Sequence, residues 1–165
     1  MKKKDTQWEK NKIIQQVESI KPTIFLTLNF NKVYNDKAIC LQSLRFFDAK
    51  INRKLLGKNW QSPLKKHERI LSINILEEGL VQEMTHFHCF ISLPFQQHIL
   101  LPKFCMYAKP IWEKITGVKG ETKKGSVDIE MIYDTIQASN YCTKQIFKKD
   151  ELATPKVISS ASFTN

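Results

Sequence analysis

Two of the four histidines, His86 and His88, stand one residue apart in Thr85-His86-Phe87-His88-Cys89-Phe90-Ile91. The run is rich in aromatic and β-branched residues and stops at Pro94, the signature of a strand over Met84 to Leu93. Side chains on a strand alternate between faces, so both imidazoles point one way while Phe87, Cys89 and Ile91 point the other. Two imidazoles about 7 Å apart along a rigid backbone are within reach of one bridging metal ion. A third ligand is wanted. Glu77 closes the preceding apolar run, where a hairpin would bring a carboxylate beside the histidines; Glu78 and Glu83 are rivals, and either of these two can equally be a solvated turn residue. Two histidines and one carboxylate, with positions left for phosphate and water, suit magnesium or manganese in phosphoryl transfer. Zinc would want a thiolate, and alternation turns Cys89 away from the histidine face.

A second group lies near the C-terminal end, in Tyr141-Cys142-Thr143-Lys144. On a helix over 135–148 capped by Asp134, residues three and four apart share a face, which aligns Gln137, Tyr141, Lys144 and Lys148. An ammonium beside a phenol lowers the cost of forming phenolate from a group that ordinarily ionises near pH ~10. Taken alone, the pair reads as a surface tyrosine beside a solvated lysine.

The elements that must carry these groups are visible in the pattern. Thr23 to Phe30 and Arg69 to Leu76 read as strands, the second forming a hairpin with the histidine strand. Leu41, Leu44, Phe47, Ile51 and Leu55 recur with helical period, and Gly57 is a stop; Lys50, Arg53 and Lys54 fall on the other face. Residues 58–68 read as a basic loop. Phe104 to Ile115 gives a helix ending at Gly117, and Ser126 to Ile132 a short strand. The order predicts an α+β fold, a central antiparallel sheet of four to five strands flanked by helices. Three regions are expected: a basic polar N-terminal arm over 1–21, short helical or partly ordered from the loose helical spacing of Trp8, Ile13, Ile14, Val17 and Ile20; one folded domain over 22–150; and a Ser/Thr-rich disordered tail over 151–165.

Composition sets the wider bounds. Twenty-six Lys+Arg against 16 Asp+Glu give a net charge of +10, which favours a polyanionic partner. Cys40, Cys89, Cys105 and Cys142 form no CxxC pair and read as thiols of a reducing cytosol. No secretory pattern opens the sequence, and no segment approaches the roughly 18 apolar residues of a membrane span. A soluble cytoplasmic protein without membrane association is expected.

The two groups, in this order, resemble the HUH endonuclease superfamily, in particular the replication initiators (Rep) of small rolling-circle replicons. Phe25-Leu26-Thr27-Leu28-Asn29 resembles the first family motif, an apolar strand ending in a polar residue. His86-Phe87-His88 is similar to the second and Tyr141-Cys142-Thr143-Lys144 to the third. The resemblance covers about residues 23–148. It implies a sheet with the histidine strand central and the tyrosine helix lying over it, and a Mg2+ or Mn2+ ion on His86, His88 and Glu77. It further implies attack by Tyr141 on a single-stranded DNA phosphate, giving a 5′-phosphotyrosyl intermediate, with Lys144 neutralising charge. Its partners would be single-stranded DNA or a hairpin at a replication origin, with a helicase and polymerase supplied by the host. Arg45, Arg53, Lys54, Lys65, Lys66, Lys123, Lys124 and Lys148 are candidates for tracking the DNA backbone, and Trp60 for stacking on a base.

Two departures from the family bear on mechanism. The position of a second tyrosine in some relatives is Gln137 here, implying a single-nucleophile enzyme, and no helicase domain is expected after the tyrosine helix. Rival readings are a transposase or relaxase using the same chemistry, a non-catalytic single-strand-binding regulator on the same fold, or an RNA-binding module. The last would want aromatics where this chain has histidines.

Overall fold

In the computed structural model, the residues described are 2–30, 36–77, 85–93, 97–117, 125–140 and 156–160. Their elements are α1 (Lys2–Ser19), β1 (Ile24–Asn29), α2 (Lys37–Leu56), a 3-10 turn (Pro63–Glu68), β2 (Leu71–Glu77), β3 (His86–Ser92), α3 (Gln97–Thr116), β4 (Ser126–Met131) and β5 (Lys156–Ser159). A last helix is described over 135–140. The five strands form one sheet in the order β4-β1-β3-β2-β5, and every neighbouring pair is antiparallel. This is the α+β architecture expected, with the histidine strand in the middle.

Register explains the core. Ile24, Leu26 and Leu28 of β1 stand opposite Ile91, Cys89 and Phe87 of β3, so six apolar side chains share one face. Against that face pack Leu44, Phe47 and Ile51 of α2 and Phe104, Ala108 and Trp112 of α3. Fully burying side chains of this size stabilises the fold by about 1.5–3 kcal/mol each. Trp112 is wholly buried, meets Phe30 and Phe47 edge-on, and donates its indole N–H to Asn29 O at 2.9 Å, which ties α3 to the end of β1. Asp36 starts α2 by accepting from Ala38 N. Gly57 ends it at φ 88°, its N–H bonded to Arg53 O.

Three sequence expectations change. The N-terminal arm, expected to be short helical or partly ordered and to lie outside the folded domain, is an 18-residue helix that belongs to the fold: Ile13 and Val17 of α1 pack on Phe25, Ile73, Ile75 and Phe90, which lie on the histidine face. The sheet is therefore covered on both sides. The tail expected to be disordered contributes β5, where Val157 and Ile158 give β-branched density that the surrounding Ser/Thr content hides. That strand also satisfies polar groups on β2: Asn74 Nδ2 donates to Ile158 O, and the Ser72 N–H to Ser160 Oγ. Helix α3 begins at Gln97, seven residues before Phe104, with Pro102 and Pro110 inside it. Both prolines are exposed, so water can reach the backbone carbonyls they leave without partners.

Candidate metal centre

The hairpin register sets the site. In the β2–β3 pair Glu77 stands directly opposite His86, and Ile75 opposite His88. The Glu77 carboxylate is thus carried onto the face of both imidazoles by the same two-residue alternation that aligns the histidines. Glu77 Oε2 lies 3.0 Å from His86 Nε2 and 3.1 Å from His88 Nε2, and the two Nε2 atoms are 3.1 Å apart. A proton between two of these atoms satisfies one pair; a cation satisfies all three at once. Among the described residues this group, its ligand atoms all within 4.8 Å of one another, can hold a metal ion.

Packing holds the imidazoles in place. The His88 ring stacks on Phe25 with centroids 5.4 Å apart and planes 18° from parallel. Its Nδ1 lies 3.4 Å from Thr27 Oγ1, on the neighbouring strand β1. With the Nδ1 proton directed to that hydroxyl, the Nε2 lone pair is left for a metal, the usual way an outer hydrogen bond selects the ligating tautomer. His86 meets His88 edge-on at 4.7 Å. Glu77 and His88 are buried, with side-chain exposures of 7% and 10%, while His86 retains 20%; the route from solvent is on the His86 side. Cys89 sits in the opposite core at 1% exposure, as alternation requires, and takes no part.

The last helix starts on this same side. Asp134 caps it by accepting from Gln137 N at 3.0 Å, and Ala138 packs against the cluster of Phe25, Ile73, Ile75 and Phe90. Tyr141, Lys144 and Lys148 lie outside the described residues, as do Lys123, Lys124, Glu78 and Glu83.

The other basic candidates divide. Arg45, Arg53, Lys54 and Lys66 are exposed, but Lys65 donates to Leu56 O at 2.8 Å and thereby closes the end of α2. Arg53 and Lys54 come together with Lys50, Lys58 and Lys114 around a cavity between α2 and α3. Lys58 and Lys114 are not singled out by the sequence because they come from different segments, with no pattern linking them. Trp60 is not a free stacking surface: it is 7% exposed, with the Arg69 guanidinium 5.6 Å over its ring. The aromatic that sequence reasoning missed at the metal centre is Phe25. Its place beside His88 follows from the β1–β3 pairing, which no local signal fixes. Among the described residues no helix is long and apolar enough to cross a membrane. No protein-family model, curated protein or solved structure matches the chain.

Proposed function

We propose that this chain is a metal-dependent endonuclease that nicks and rejoins single-stranded DNA through Tyr141, in the manner of the HUH replication initiators its motifs resemble. The observation that carries the reading is the convergence of Glu77, His86 and His88 on one point of the central strands, on the side of the sheet where the last helix begins. Two histidines and one carboxylate, with positions left for phosphate and water, favour magnesium or manganese. When bound, such a cation supplies Lewis acidity and a template for the scissile phosphate.

The chain's own residues supply the rest. Glu77 and the two histidines are held by the hairpin, Phe25 and Thr27, so little reorganisation is needed to bind. The Tyr141 oxygen attacks phosphorus and gives up its proton; the bond from phosphorus to the 3′ oxygen breaks, and that oxygen takes a proton to become a free 3′-hydroxyl. Lys144 offsets the negative charge at the phosphate. The phosphotyrosyl link retains the energy of the phosphodiester, so a later 3′-hydroxyl can reverse the step and reseal the strand. The substrate is single-stranded or hairpin DNA at a replication origin, and unwinding and synthesis fall to a host helicase and polymerase.

The test is covalent capture. Incubated with Mn2+ and a hairpin-bearing single strand, the protein is expected to cut it and remain joined to the 5′ phosphate of the downstream fragment, a mass increment on Tyr141. Tyr141→Phe abolishes the adduct and spares binding. An adduct of equal yield in that variant refutes the assignment.

A further inference from the structure

The cavity between α2 and α3 lies on the far side of the sheet from the histidines, because both helices pack on the face of Phe87, Cys89 and Ile91. Its volume is about 590 Å³, enough for a nucleotide or two. Among the described residues five cations line it: Lys50, Arg53 and Lys54 from the last two turns of α2, Lys58 just beyond, and Lys114 from α3. Among the described residues no carboxylate lines it and none is paired with any of the five. Its floor is apolar, made by Ile111, Pro110 and the half-buried ring of Tyr107, over which the Lys54 ammonium lies at 5.5 Å. On the opposite, histidine-bearing face the described edge strand β4 presents Asp128 and Glu130, in register with Thr27 and Phe25.

Charge and shape together select the occupant. A row of exposed cations satisfies successive phosphates, and the half-buried ring among them offers a π-face to an unpaired base once the flexible Lys54 side chain turns from it to a phosphate, the combination that grips single strands without reading sequence. We propose that this groove is a second single-stranded nucleic acid site, with phosphates on the five cations and a base against Tyr107. It holds flanking strand behind the sheet while the metal side addresses the scissile bond. The groove does not require the nicking reading: it would bind single strands in a chain with no metal and no Tyr141 chemistry.

The experiment titrates a short fluorescein-labelled oligothymidylate into the full chain in EDTA, across a range of salt, following anisotropy. Lys50→Ala with Lys114→Ala, both exposed positions, is expected to weaken binding roughly tenfold and to flatten the slope of log K against log salt by about 1.4, at about 0.7 for each phosphate no longer neutralised. Tyr107→Leu is expected to weaken binding roughly fivefold or more with the salt slope retained. Lys103→Ala with Lys109→Ala removes the same charge from exposed positions of α3 outside the groove and should change affinity little. Photocrosslinking with a bromodeoxyuridine oligonucleotide should label the α3 peptide containing Tyr107. Affinity unchanged in the Lys50/Lys114 variant, an equal loss in the control pair, or crosslinks confined to peptides of β1, β2 and β3 would each overturn the proposal. A groove that instead takes an acidic protein segment would give the first of these outcomes.

Discussion

Asp48 gives the sharpest quantitative expectation. It lies on the buried face of α2 at 7% exposure. Asn52, one turn on, donates to Asp48 O at 3.0 Å and accepts from Ile70 N–H at 3.1 Å. Burial pushes the Asp48 carboxyl up from 3.8 to about 7, against the opposing pull of the Asn52 hydrogen bond and the Arg69 charge. Between those two values the folded chain holds a proton that the unfolded chain has released. The stability this carboxyl contributes is therefore complete below pH 3.8, falls as pH rises through the window, and is lost above about 7. At about 1.4 kcal/mol per pKa unit, the rise corresponds to a ceiling of about 4 kcal/mol, which relaxation around the carboxylate will reduce. Asp48→Asn keeps the shape and removes the titration. Urea unfolding followed by far-UV circular dichroism, from mildly acidic to mildly alkaline pH, should show the variant gaining on the parent as pH rises. The expected advantage above neutrality is about 2–4 kcal/mol, and it should fade toward pH ~4. Taking the difference between the two proteins cancels the other titrating groups. A difference that is flat with pH, or that shrinks as pH rises, would falsify the assignment.

Two further outcomes are expected at the site and in the core. Mn2+ should raise the melting temperature, since a ligand at about 100 times its Kd stabilises by about 2.7 kcal/mol, and Glu77→Gln or His86→Ala should remove most of that rise; differential scanning fluorimetry reads it, and an unchanged metal response in both variants would take these residues out of the ligand set. Gly125→Ala should cost about 2 kcal/mol or more in urea unfolding, because a Cβ there meets Asn29 O, Thr116 Oγ1 and Trp112 Nε1, each at 2.6 Å. A neutral Gly125→Ala would mean that this backbone does not approach β1 and α3 so closely.

The sheet was legible because its strands announce themselves. Ile24–Asn29, Leu71–Glu77, His86–Ser92 and Ser126–Met131 each fall within two residues of the runs expected from β-branched and aromatic density. The metal group was legible for the same reason: period-two alternation puts His86 and His88 together, and a hairpin brings Glu77 opposite. Sequence could not choose Glu77 over Glu78 and Glu83; the position opposite His86 is what brings its carboxylate to both imidazoles. The cover on the histidine face was legible only in part: the loose helical spacing of Trp8, Ile13, Ile14, Val17 and Ile20 marks a helix, but among its described residues only Ile13 and Val17 are buried, too few for an apolar stripe that announces packing on the sheet. Helix α3 reads short because Pro102 looks like a boundary, whereas tertiary packing of Leu100 and Phe104 carries the helix through it. The groove escapes sequence reasoning because its cations come from separate segments that only the fold assembles.

The four residues of β5 have an influence out of proportion to their length. They occupy the outer margin of β2, a strand whose side chains from Ser72 to Glu77 are all buried. Stripped of that cover, β2 would offer a bare row of amide and carbonyl groups flanked by Ile73 and Ile75, the kind of margin that recruits a strand from another molecule. A version cut back to end before Lys156 would lose its guard against self-association on the margin next to Glu77. Four residues of the same chain thus take up the pairing groups of β2 from Ile73 to Leu76, and they move the open margin of the sheet away from the strand that carries Glu77.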